Sequence, residues 1–239
     1  MKLKTIVYAD FNSPLCYLAG LWADRRRAEG IETDWRAVEH LPSLSHLGVP
    51  NAAAPPALLH ELVEAARLPV PEGRDRLPDA LPQIISNTQA ATAAYAEAVT
   101  DGVHDELRRH LLRAIWIENR HLSSAYEVRR IITDITYPRV PIGPYSSSDL
   151  PLPVNRDPDL WRAVRRSGGT IAPDGGPLTT IAYRRIRTWR EQWRALDRPD
   201  LPVLIDERGA LHAGQDAVVW LAGQPAPTPV RPLPVPSLL

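Results

Sequence analysis

The spacing of apolar residues over the first forty positions changes from that of a strand to that of a helix and back. A mostly apolar run at residues 3–9 predicts a buried strand. Over residues 14–29 apolar side chains recur every three or four positions, which predicts a helix that Gly30 ends. Residues 31–38 then alternate apolar and polar side chains, as half-buried strands do. Strand, helix and strand in this order predict a βαβ unit.

The middle of the chain is helical by pattern and is interrupted by prolines. The predicted helices cover residues 58–68, 86–100, 103–119, 124–134, 157–168 and 177–196. Proline- and serine-rich segments at residues 41–56, 68–82 and 136–156 predict irregular loops between them.

Strand signals return near the end. Residues 201–206 and 210–213 predict two short strands around a turn, and residues 217–221 a last helix. The order βαβ, helical block, ββα is that of an α/β thioredoxin-like fold with a large all-helical insertion. We therefore expect residues 1–45 and 199–223 to form one discontinuous thioredoxin-like domain. Residues 46–198 would be the insertion with its proline-rich loops, and 224–239 a proline-rich tail.

Composition narrows the classes of function. Twenty-eight basic residues balance twenty-eight acidic ones, so no nucleic-acid-binding surface is expected. No apolar run approaches the ~18–20 residues that span a bilayer, and no secretory signal is recognised at the start, so we expect a cytoplasmic protein without a membrane partner. Cys16 is the sole cysteine, which excludes a disulfide within the chain, and we expect no metal.

The chemistry-bearing motif is Ser13-Pro14-Leu15-Cys16, where the first strand turns into the first helix. A thioredoxin-type active site has C-x-x-C at this place, and here a serine replaces the first cysteine. One thiol cannot close a disulfide, so an internal dithiol cycle is excluded. Ser-Pro is also a common way to begin any helix, with the hydroxyl as the cap. Capping and catalysis therefore both remain open for Ser13.

Four motifs together resemble the DsbA-like thioredoxin superfamily. The stretch Asp10-Phe11-Asn12-Ser13-Pro14-Leu15-Cys16-Tyr17-Leu18 resembles its active-site motif. Asn87-Thr88-x-x-Ala91, Leu201-Pro202-Val203 and Gly214-Gln215-Asp216 resemble its insertion helix, its cis-proline strand and the start of its last helix. A serine at position 13 brings the chain nearest to the branch of kappa-class glutathione transferases and 2-hydroxychromene-2-carboxylate isomerases.

The resemblance implies a transferase or isomerase that depends on a small thiol. The thiol would be glutathione or another low-molecular-weight thiol such as mycothiol, since Ala217 stands where an arginine often follows in this branch. Its partner would be a small-molecule electrophile, and the protein would be a homodimer. The implied catalytic residue is Ser13, which would stabilise the thiolate. Cys16 is the second catalytic candidate, because it follows Ser13 by three residues on the same helix face, although this branch usually has no thiol there. The implied thiol-binding residues are Pro14, Leu201, Pro202 (with a cis bond), Val203, Gln215 and Asp216. The implied substrate-pocket residues are Phe11, Asn12 and Asn87.

Two other functions stay open at this point. Cys16 could serve a one-cysteine thiol-disulfide oxidoreductase that works with an external thiol, or it could simply be a small core residue. The fold could also be catalytically degenerate and serve for binding. Asn87 has its own ordinary interpretation as a helix cap.

Overall fold

A computed structural model describes residues 4–136, 171–172, 174–197 and 200–223 of the chain. The βαβ unit forms as predicted: strand β1 (Thr5–Ala9), helix α1 (Pro14–Ala28) and strand β2 (Thr33–Ala37). β1 and β2 pair in parallel, and Gly30 has a φ of 83°, the left-handed conformation expected after a helix end.

The last strands complete a mixed four-stranded sheet in the order β2-β1-β5-β6. Strand β5 (Val203–Ile205) runs antiparallel to β1, and β6 (Leu211–Ala213) runs antiparallel to β5. The Leu201–Pro202 peptide bond is cis, which confirms the prediction at this position. Helix α7 (Gln215–Leu221) begins two residues earlier than predicted.

In the sequence, the helical block lies between the βαβ unit and the last two strands. It comprises α2 (Pro56–Ala65), α3 (Gln89–Asp101), α4 (His104–Trp116), α5 (Ala125–Thr136) and α6 (Thr180–Ala195). Helix α1 packs against α2, α4 and α7, and α3 packs against α4, α5 and α6. The chain thus has the predicted α/β fold class, with the four-stranded sheet and helices from both ends of the sequence around one core.

The loops hold one element that the sequence pattern missed. Strands β3 (Val49–Pro50) and β4 (Ile84–Ile85) pair antiparallel as a separate two-stranded sheet, where loop was predicted up to residue 56. Two-residue strands are too short for any alternation to show. The predicted loop 137–156, the predicted helix 157–168 and the tail 224–239 lie outside the described residues. The division into domains stays a prediction.

A buried carboxylate fixes the beginning of α6. Glu97 of α3 accepts hydrogen bonds from the backbone N–H groups of Leu178 and Thr179, at 3.1 and 2.9 Å, and from the Thr179 hydroxyl at 2.7 Å. These bonds satisfy N–H groups that a helix start leaves unpaired. They explain why α6 begins at Thr180 and not at Pro177, where the pattern began.

No helix among the described residues combines the length and the apolarity needed to cross a bilayer.

We expect Gly48→Ala to destabilise the fold much more than Gly73→Ala. Both glycines have a φ of 73°, so both substitutions carry the same backbone strain of about 1 kcal/mol. A Cβ at Gly48 would also meet the Ile85 carbonyl oxygen at 2.6 Å, whereas a Cβ at Gly73 would meet nothing within 4 Å. Overpacking adds roughly 1–3 kcal/mol. Urea unfolding of both variants measures the difference, and equal losses would contradict the close approach of β4 to Gly48.

Candidate active site

The turn between β1 and α1 places Ser13 as the cap of α1. Ser13 has an extended backbone, with φ −94° and ψ 125°, and its hydroxyl oxygen accepts the Cys16 N–H at 3.0 Å. Pro14 occupies the first helical position, where its missing N–H costs nothing. The side chain of Ser13 is fully buried. The capping role is therefore present, and the hydroxyl proton remains available to a further acceptor.

That acceptor is Glu61 of α2, which the sequence analysis did not single out. Its Oε1 accepts the Ser13 hydroxyl and also the Leu15 backbone N–H, the latter at 3.3 Å. Burial raises the pKa of Glu61 to about 7, against the opposing effect of the Ser13 hydrogen bond. A carboxylate oxygen thus lies at the positive end of α1 and takes donors from both its cap and its first turn.

A pattern in the sequence could have indicated Glu61. Leu58, Leu62 and Ala65 form the buried stripe of α2, and Glu61 lies three residues after Leu58 and next to Leu62. A charged residue on the buried side of an amphipathic helix needs a partner. The pattern cannot name that partner, because Ser13 is 48 residues away in the chain.

A second acid–base pair lies beside the first. Asp10, buried at the end of β1, accepts both the backbone N–H and the ring Nδ1 of His40 through Oδ2, each at 2.8 Å. Burial alone would lower the pKa of His40, but the hydrogen bond and the charge of Asp10 outweigh it and raise that pKa. With Nδ1 donating to an ionised carboxylate, Nε2 is the ring nitrogen left for other partners.

An open cavity of about 640 Å³ adjoins both pairs. Leu15, His40 and Glu61 line it on one side, and Leu201 and the Gly214–Asp216 turn line it elsewhere. The remaining lining side chains come from the segments around α2, α6 and β6: Leu41, Pro55, Ala57, Leu58, His60, Glu64, Trp193, Asp200 and Ala213. Its volume suits a small molecule.

The structure brings some of the predicted site residues to this cavity. Leu201, Gln215 and Asp216 line it. Pro202 and Val203 follow Leu201 in the chain. The Pro202 carbonyl accepts the Gly214 N–H, and Val203 pairs with the neighbouring strands β1 and β6. Ser13 is not itself a lining residue; Glu61 contacts its hydroxyl and lines the cavity.

The predicted substrate-pocket residues lie away from the cavity lining and make structural contacts. Phe11 packs edge-on against Tyr95, with ring centroids 6.0 Å apart. The Asn12 amide donates to the Ser86 carbonyl at 3.1 Å. Asn87 donates to the Leu44 carbonyl at 3.0 Å and accepts the Gln89 N–H at 3.0 Å, one residue before Thr88, the N-cap of α3.

Cys16 points into the core. Its side chain is fully buried, and burial together with the nearby negative charge of Glu61 raises the pKa of the thiol well above its ordinary value. The thiolate is the reactive form of cysteine, so this environment makes Cys16 inert at neutral pH.

No group of three or more His, Cys, Asp or Glu side chains within the described ranges could hold a metal ion.

The sequence matches no protein-family model and no curated protein. Its fold resembles those of several solved structures, among them three at 13% sequence identity. A probable DsbA oxidoreductase from Streptomyces coelicolor aligns over 95% of this chain and 93% of its own length, with a TM-score of 0.56. The cytosolic disulfide reductase DsbM from Pseudomonas aeruginosa, solved with GSH, aligns over 92% and 98%, with a TM-score of 0.52. A 2-hydroxychromene-2-carboxylate isomerase aligns over 92% and 93%, with a TM-score of 0.56. The chain therefore shares the thioredoxin-like fold of these structures.

Proposed function

We propose that the protein is a transferase or isomerase that uses a small thiol, with Ser13 stabilising the thiolate. The observation that carries this proposal is the anion position at the amino end of α1. Two donors, the Ser13 hydroxyl and the Leu15 N–H, already converge on one negatively charged oxygen beside a cavity of ligand size. A thiolate has the same charge and accepts the same bonds.

Such a site can supply the free energy needed to ionise a bound thiol at neutral pH. A thiol with a pKa near 8.5 becomes mostly ionised at pH 7 when its pKa falls by about two, which takes about 2.7 kcal/mol. One hydrogen bond to a charged acceptor contributes roughly 1.5–3 kcal/mol, and the helix end adds roughly 0.3–1 kcal/mol. Ser13 and α1 together supply that amount. The thiolate would then attack an electrophilic carbon in a conjugated or aromatic substrate.

The charges of the cavity bear on which thiol it takes. Four carboxylates line it (Glu61, Glu64, Asp200 and Asp216), and no lysine or arginine is among its described lining residues. Glutathione carries two carboxylates, for which the described lining offers no lysine or arginine. The lining better suits a thiol whose polar groups are hydroxyls and amides, such as mycothiol. In the glutathione alternative, which the GSH in the Pseudomonas aeruginosa structure supports, Asp216 would bind the ammonium group.

His40 is suited to move a proton on the electrophile. Its Nδ1 is held by Asp10, its ring lines the cavity, and its Nε2 has no hydrogen-bond partner among the described residues. When a thiolate adds to a conjugated carbonyl, the carbon–sulfur bond forms and the enolate must take up a proton. The Asp10–His40 pair can deliver that proton from the protonated ring.

The cytoplasm and a homodimer complete the proposal, as the expected compartment and assembly. The one-cysteine oxidoreductase has little support, because Cys16 is enclosed. The binding-only alternative has little support too, because the cavity beside α1 is open and carries acid–base groups.

Ser13→Ala is expected to raise the pKa of the bound thiol by about one to two, the equivalent of one lost hydrogen bond to a charged acceptor. The thiolate absorbance of the bound thiol, titrated against pH, measures this. Ser13→Ala also removes a helix cap and about 1 kcal/mol of stability. Thr179→Ala is the matched control, since it removes the cap of α6, whose hydroxyl accepts the Ala182 N–H at 3.1 Å. Thr179 lies about 21 Å along that helix from Trp193 of the cavity. An equal thiol pKa in wild type and Ser13→Ala would sink the proposal.

His40→Gln is expected to slow thiol addition to a conjugated ketone by about 10²-fold or more, the usual contribution of a general acid. In Asp10→Asn the histidine stays, but the negative charge of Asp10 that raises the pKa of His40 is removed. The part of the pH–rate profile that reports the titration of His40 therefore moves to lower pH. His60→Gln is the control, because His60 also lines the cavity but is exposed and pairs with Glu64 at 3.3 Å. A similar loss in His40→Gln and His60→Gln would remove His40 from the mechanism.

Cys16 is expected to resist alkylation by iodoacetamide in the folded protein and to react fully in urea, because its enclosed thiol stays protonated. Mass spectrometry of the cysteine-containing peptide measures the modified fraction. Fast labelling of the native protein, or a mixed disulfide with oxidised thiol, would revive the one-cysteine oxidoreductase.

A further inference from the structure

The place proposed for the thiolate is already taken by a side chain. Glu61 Oε1 accepts the two donors, Ser13 hydroxyl and Leu15 N–H, that a thiolate there would need. A hydroxyl has one proton to donate, so Ser13 cannot serve both anions at full strength at once. Two negative charges at one buried helix end would also repel each other. Either the carboxylate leaves the site, or it loses its charge there.

We propose that Glu61 is the base that takes the proton of the incoming thiol, so that one negative charge passes from the carboxylate to the sulfur. This inference rests on the proposed thiol-dependent function. The S–H bond breaks with its electron pair staying on sulfur, and an O–H bond forms on Glu61. The Ser13 hydroxyl then rotates towards the thiolate, and the neutral acid, a weaker acceptor, gives up the fixed Leu15 N–H to the sulfur. The net charge of the site is the same before and after.

The surroundings favour neutralisation over departure of Glu61. It lines the cavity, so its carboxylate is within reach of a bound thiol. Burial raises its pKa to about 7, so it accepts a proton readily near neutral pH. The titratable and charged groups around this site come from several elements: Asp10 and His40 after the strands β1 and β2, Cys16 from α1, His60 and Glu64 from α2, Asp200 before β5, and Asp216 from α7.

The number of protons exchanged with the buffer tests the proposal. Reduced glutathione and mycothiol are the two probes, and calorimetry at pH 8 in buffers of different ionisation enthalpy counts the protons. In wild type, Glu61 keeps the thiol proton, so binding releases close to none. In Glu61→Gln an amide cannot take it, so roughly 0.75 proton is released, the protonated fraction of a free thiol with a pKa near 8.5. Glu64→Gln is the matched control on the same helix and cavity. Thiol binding to this variant should release as few protons as binding to wild type does.

An infrared measurement gives a second test of where the proton goes. Infrared difference spectra at pH 8 should also show a protonated-carboxyl band on thiol binding in wild type and Glu64→Gln, and none in Glu61→Gln.

The outcomes separate the two proposals. A bound thiolate in wild type with about 0.75 proton released at pH 8 would overturn the role of Glu61 and leave the thiol-dependent function intact. If neither probe binds, or each binds without thiolate absorbance in wild type and Glu61→Gln alike, the proposed function falls and the role of Glu61 with it.

Discussion

The positive end of helix α1 requires a negative charge, and the site is built around that requirement. The first turn of α1 has no acidic residue, while its last turn carries Arg25, Arg26 and Arg27. The helix therefore has local charge compensation at its carboxyl end only. Compensation at the amino end comes from Glu61, which α2 places there by packing against α1. The position of α2, and of the loops that lead to it, thus decides what the site can bind.

Two carboxylates share this region, and the structure gives them different partners. Asp10 is fully enclosed and is tied to His40 and to the Asn12 backbone N–H. Glu61 lines the cavity, and its hydrogen-bond donors among the described residues are the Ser13 hydroxyl and the Leu15 N–H. Asp10 is held by its hydrogen bonds, whereas Glu61 lines the cavity and burial raises its pKa to about 7. Glu61 is therefore the group free to change its protonation near neutral pH.

The features that could be predicted from the sequence are those that a local residue pattern determines. The βαβ unit, the long helices and the cis-proline strand follow from periodicity and motif, and Ser13 lies where its motif put it. Strands β3 and β4 were not predicted, because a two-residue strand is too short to show an alternating pattern. Glu61 and His40 were not predicted as site residues, because their roles depend on contacts with Ser13 and Asp10, which are 48 and 30 residues away in the chain. Asn87 matched a motif, yet its amide is used to join the start of α3 to the Leu44 carbonyl.

The enclosure of Cys16 has a consequence for the behaviour of the protein under oxidative stress. The chain has no other sulfhydryl, and this one is shut inside the folded core. While folded, the protein offers peroxide no thiol of its own to oxidise, and its copies have no sulfur with which to crosslink.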